Sequence, residues 1–153
     1  MKAVLGIALV VGFVVIIVLC VIADKNAGKK FMKKIQDTYQ IKDKQGNLII
    51  TTNNEILLSL GSGSLPGYKK WNLEDITYFG MSTLQRTNCG FSFLDENRKA
   101  MKGEYLTPSK KPLVQKGMTA FPARSPEALE EMYAFVKKHK PDLQKCRNGE
   151  ISE

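Results

Sequence analysis

The chain has 153 residues, a formal net charge of +8, three cysteines and one histidine. Behind an apolar opening there is material for one ordinary domain with its own core. The charge suits a neighbourhood of polyanions, while so few histidines and cysteines argue against histidine-based catalysis and against a Cys/His metal centre.

From position 3 to 23 no charged or strongly polar residue occurs. About 21 positions at ~1.5 Å each match the ~30 Å hydrocarbon core of a bilayer. Residues 1–24 are therefore expected to form an uncleaved transmembrane helix, a single-pass signal-anchor. The β-branched run 14–18 does not oppose this, because lipid leaves the backbone no partner outside a helix. A cleaved export signal has a shorter apolar region, ~7 to 15 residues, and Leu19 stands where a lipoprotein signal ending at Cys20 needs a small residue. Ala8 and Gly12 make a small-xxx-small pair that would let two copies of the helix approach, so a homodimer is one expectation.

Residues 25–39 follow as a basic juxtamembrane segment. Phe31, Met32, Ile35 and Tyr39 fall on one side of a helical wheel, with Lys29, Lys30, Lys33, Lys34 and Asp37 on the other. Lys29, Lys30, Lys33, Lys34 and Phe31 are the candidate membrane-surface contacts. Each lysine contributes ~1 kcal/mol on an anionic leaflet; the alternative is that the apolar side docks onto the domain. Lysines after the span outnumber those before it, which predicts an N-terminus outside the cell membrane and a cytoplasmic body.

Residues 40–141 have β-type patterning. Strands are expected at 48–52 and 55–60, with Gln45-Gly46-Asn47 and Asn53-Asn54 as turns and 61–68 as a Gly/Ser/Pro loop. "KKWNLEDITYFGMS" reads as one strand broken or bulged at Glu74-Asp75, with Trp71 a core anchor. "GFSFLDENRKAMKGEYL" reads as a hairpin bent at 95–97 and returning through Ala100, Met101 and Tyr105. A loop with Pro108, Lys110, Lys111 and Pro112 leads to a short strand near 118–121. Ser125, Pro126 and Glu127 then open an amphipathic helix with apolar positions 129, 132, 133 and 136 and a lysine-rich last turn, stopped by Pro141. Residues 142–153 read as a flexible tail.

"KKWNLEDITYFG", "GFSFLDENRKAM" and "SPEALEEMYAFVKKH" resemble the strand, hairpin and closing helix of bacterial pleckstrin-homology-like domains, over roughly residues 40–140. The resemblance implies an α+β fold: a mostly antiparallel β barrel or strongly bent sheet with one C-terminal amphipathic helix, behind the membrane helix. It also implies a binding or scaffolding role without chemistry of its own.

No catalytic constellation is found. His139 sits between two lysines at a helix end, no C-x-x-C or H-x-x-x-H occurs, and "GSGS" lacks the lysine and helix of a phosphate loop. No cofactor and no metal are expected. Scattered lysines without a basic helix argue against nucleic acid, and Lys69, Lys70, Lys110 and Lys111 are left as the candidate binding surface. The expected function is a membrane-anchored, non-enzymatic, cytoplasmic binding or scaffolding domain that contacts a protein partner or anionic lipid headgroups. The alternative is an exported, membrane-held envelope protein binding an extracellular partner, in an immunity or exclusion type role. In that case Cys89 and Cys146 would be free to pair.

Overall fold

The structure is a computed structural model that describes residues 2–60, 67–85, 88–106 and 119–147. Helix α1 (Lys2–Thr38) is continuous through the apolar opening and the lysine-rich segment alike. Among the described residues, no helix is long and apolar enough to cross a membrane, which corrects the expectation of a transmembrane, single-pass signal-anchor. The exposed apolar side chains at 13–22 stand in this one continuous helix. Beyond them the same helix carries lysines.

Among the described residues nine strands follow, in two sheets. β1 (Ile41–Gln45), β2 (Leu48–Thr51), β3 (Glu55–Ser59), β4 (Tyr68–Asn72) and β7 (Glu104–Leu106) form sheet A in the order β1-β2-β3-β4-β7. β5 (Tyr78–Gln85), β6 (Asn88–Leu94), β8 (Phe121–Ala123) and β9 (Gln144–Arg147) form sheet B in the order β8-β6-β5-β9. Among the described residues each sheet keeps two edges, so the expected barrel does not close, and the expectation of a barrel or strongly bent sheet behind a membrane helix is corrected to two sheets sharing a core.

The reason lies in "KKWNLEDITYFGMS", which is not one interrupted strand. β4 ends at Asn72 and β5 starts at Tyr78, in different sheets. The acidic pair occupies the crossing, where Asn72 Oδ1 accepts from Glu74 N at 3.3 Å and Leu73 N donates to Asn54 O at 2.8 Å. The chain crosses a second time after β6. Asp95 Oδ1 accepts from Asn97 N and Lys99 N, both at 2.9 Å, and closes the expected turn. The returning chain meets β6 through the bridge at Ala100 and the Met101 N to Phe93 O bond, and β7 then joins β4. A hairpin is thus split between two sheets.

The core lies between the sheets: Phe93 and Phe121 pack edge-on against Trp71, Phe79 and Phe91 continue the ring cluster, and Leu48, Ile50, Ile56 and Leu58 come from sheet A. Helix α2 (Pro126–His139) adds Leu129, Phe135 and Val136. It begins as expected, with the Ser125 hydroxyl accepting from Ala128 N at 3.2 Å and Pro126 in the first turn. The opposite face of sheet A is covered too. Ile49, Leu57 and Tyr68 pack against Phe31, Ile35 and Tyr39 of and just after α1, so β2 and β3 are buried on both faces and read as unbroken apolar runs.

Residues expected to be a tail instead hold β9, which pairs parallel to β5 with Leu143 and Cys146 buried. The register also separates the thiols. Cys89 shares a face with Phe91 and Phe93, whereas Cys146 pairs with Gly80 on the opposite face, two strands away. Strand spacing and rise put them about 14 Å apart, twice what a disulfide tolerates.

Candidate functional site

Two features of the sequence are brought together at the base of α1. Phe13, Val14, Val15, Ile16, Ile17, Val18, Leu19, Val21 and Ile22 are 47–67% exposed. Consecutive positions of a helix step ~100° around its axis, so this exposure covers every side and not one stripe. Lys29, Lys30, Lys33 and Lys34 follow, all exposed. The side facing the domain is taken by Ile35, 5% exposed, and by Phe31, whose ring lies 6.3 Å from that of Tyr68. The docked and lysine-bearing sides expected at 25–39 therefore coexist: Phe31 belongs to the docking side, and the four lysines form a collar around the other.

The second pair of candidates behaves differently. Lys69 is fully buried on the core side of β4, where its Nζ donates to Lys102 O at 2.7 Å and lies 5.5 Å from the Phe121 ring centre. Burial pushes its amine below the usual lysine range. Lys70 points to the α1 side, between Glu55 at 3.1 Å and Glu104 at 2.9 Å, with its Nζ 5.6 Å from the Tyr39 ring. Glu104, helped by Glu55, holds its ammonium well above the usual range. Both lysines are internal fasteners of sheet A. Lys110 and Lys111 lie outside the described residues.

Sequence reasoning passed over a clasp between β1 and α2. Asp43 Oδ2 meets Lys138 Nζ at 2.8 Å and His139 Nε2 at 2.9 Å, while its Oδ1 accepts from Lys44 N at 2.8 Å. The His139 ring packs edge-on against Phe135. These partners are some 95 residues apart in the chain, and no local pattern announces them. Beside the clasp runs an open groove of ≈ 490 Å³, lined by Lys44, Gln45, Glu131, Ala134 and Phe135 among others. Its rim mixes both signs of charge. Among the described residues, no three His, Cys, Asp or Glu side chains are grouped to hold a metal ion.

The Lys138 ammonium, then His139 and the Lys44 N–H, bring the Asp43 carboxyl down from 3.8 to about 2. A depressed carboxylate pKa stabilises the fold above the unfolded value and loses that contribution as pH falls through the folded one. Urea midpoints of the native chain are therefore expected to fall between pH 3.8 and about 2. Asp43→Asn should remove part of that fall, and an identical acid limb in the variant would show the clasp to be idle.

No family model matches the chain, and neither the curated proteins nor the solved structures contain a match.

Proposed function

We propose that this chain is a non-enzymatic binding module held to an anionic lipid surface by its N-terminal helix, with the domain offered to a protein partner on the cytoplasmic side. The observation that carries the reading is the arm of α1: apolar side chains exposed on all sides over residues 13–22, then four exposed lysines within two turns.

Contiguous apolar surface left in water is unfavourable at roughly 25 cal/mol per Å², so the arm has an occupant. A second helix would cover only the stripe it faces, whereas the interfacial layer of a lipid surface accepts apolar side chains and neighbouring lysines together without a complementary partner stripe. The lysine collar then falls at headgroup level, where long side chains keep the ammonium in the polar layer while their stems run along apolar surface. Cytoplasmic leaflets carry the more negative surface potential. The two buried thiols, on opposite faces of sheet B, suit a reducing compartment.

Vesicle flotation tests the proposal. The full chain is expected to float with phosphatidylcholine vesicles containing phosphatidylserine, more weakly with phosphatidylcholine alone, and less as salt is raised. A chain that stays at the bottom of the gradient with every composition would overturn it.

A further inference from the structure

The register of sheet A shows which end of the domain the arm leaves from. Ser59 N donates to Asn47 O at 2.8 Å, Ser59 pairs with Tyr68, and Tyr68 pairs with Leu106, so Asn47, Ser59, Tyr68 and Leu106 form one row across the sheet. At the other end, Thr52 N donates to Gln40 O at 2.9 Å, Ile41 pairs with Thr51, and Glu55 pairs with Asn72. Helix α1 joins these ends diagonally. Its Phe31 ring sits against Tyr68 in the first row, and the chain leaving it reaches Gln40 in the second. Everything N-terminal to Phe31 therefore projects past the row of Asn47 and Tyr68.

The junction leaves no slack. α1 continues unbroken to Thr38, Tyr39 N still donates to Ile35 O at 2.8 Å, and β1 starts at Ile41. Ile35 is buried and Lys70 closes over Tyr39. An arm fixed in this way dictates how the domain stands on whatever holds the arm.

We infer that the turn Gln45-Gly46-Asn47, with Lys44 beside it, is a second contact with the anionic lipid surface, an inference that rests on the lipid reading of the arm. Gly46 has φ +55, the left-handed conformation that lets this two-strand turn close tightly, and Lys44, Gln45, Gly46 and Asn47 are all exposed. Amide N–H groups and an ammonium at this end are donors for phosphate oxygens. Charge at the far end is mixed but leans acidic, with Asp95 and Glu96 beside Arg98, Lys99 and Lys140. Glu74 and Asp75 are exposed in the crossing that follows Asn72, and Asp142 is exposed close by, tied to Lys140 at 3.3 Å. Turning that end towards phosphates would set like charges against each other, so electrostatics and the geometry of the arm select the same orientation.

Site-specific fluorescence tests this. Cys20 is exposed, whereas Cys89 and Cys146 are buried. In a Cys20→Ala full-length chain, Asn47→Cys or Asn53→Cys therefore gives a single reactive thiol at either end of sheet A. Each is labelled with an environment-sensitive dye and bound to phosphatidylserine-containing vesicles carrying a headgroup nitroxide. Emission from position 47 is expected to be lost on binding and emission from position 53 to be retained. Equal quenching, or quenching at 53 alone, in chains that float would overturn the orientation while leaving lipid attachment intact. Failure to float would remove both.

Discussion

Trp71→Ala is expected to cost about 3–5 kcal/mol of stability. The indole is 3% exposed, 4.9 Å from the Phe93 ring and 5.6 Å from Phe121, both edge-on. It belongs to sheet A while both partners belong to sheet B, so its removal opens a void at the seam between the layers. It also ties down the second crossing, since Nε1 donates to Met101 O at 3.2 Å. Gly103 completes this contact from the other side: its φ is +63, and a Cβ placed there would lie 2.5 Å from Trp71 Cε2. Gly103→Ala alone is thus strained both in backbone conformation and against the ring. The ring contact vanishes in the Trp71→Ala background, so the double variant should be more stable than the two single losses added together. Urea midpoints of the four proteins check this. A cost for Trp71→Ala below about 0.5 kcal/mol, the range of ordinary surface changes, would deny the indole its anchoring role.

What could be read from the sequence was local. Ser125, Pro126 and the 129/132/133/136 pattern give α2 because capping, the first helical position and the apolar stripe all act within a few residues. The strands at 48–51 and 55–59 were legible for the same reason. What was not legible depends on pairing at a distance. Whether "EDITYFG" continues a strand or changes sheet is decided by Asn54, whose carbonyl accepts from Leu73 N, and no periodicity within the segment records that partner. The parallel pairing of β9 with β5 is equally non-local, and a short polar segment after Pro141 gives no sign of it.

The candidate site follows the same division. Exposure of Lys29, Lys30, Lys33 and Lys34 could be read from a helical wheel. Lys69 and Lys70 carried a signal that was available and unused, because adjacent residues on a strand face opposite sides. With Trp71 in the core, Lys69 and Lys70 could not both face solvent. Lys69 and Tyr105 are cross-strand partners, and the carbonyl of Lys102 that receives the Lys69 amine lies just before β7. The clasp of Asp43 with His139 had no such signal.

Replacing Lys29, Lys30, Lys33 and Lys34 together by glutamine should reduce affinity for phosphatidylserine-containing vesicles by about a thousandfold, four lysines at ~1 kcal/mol each with a tenfold loss per 1.4 kcal/mol. The fold should be untouched, because all four side chains are exposed and the docking side of the segment is formed by Phe31, Ile35 and Tyr39. The salt dependence must fall with the affinity. If the arm alone held the chain, the variant would bind as the native protein does and salt would matter to neither. Lys99→Gln provides the contrast. Lys99 is exposed in the 95–99 turn, next to the Leu94 carbonyl that receives Thr77 N, at the end of the domain turned away from the arm. It removes the same charge as any one collar lysine, yet it should leave vesicle affinity unchanged, since a charge beyond a Debye length of ~8 Å from the headgroups is screened. Equal losses from Lys99→Gln and from a single collar substitution would mean that only net charge draws the chain to the surface, and the collar would then have no special place in the attachment.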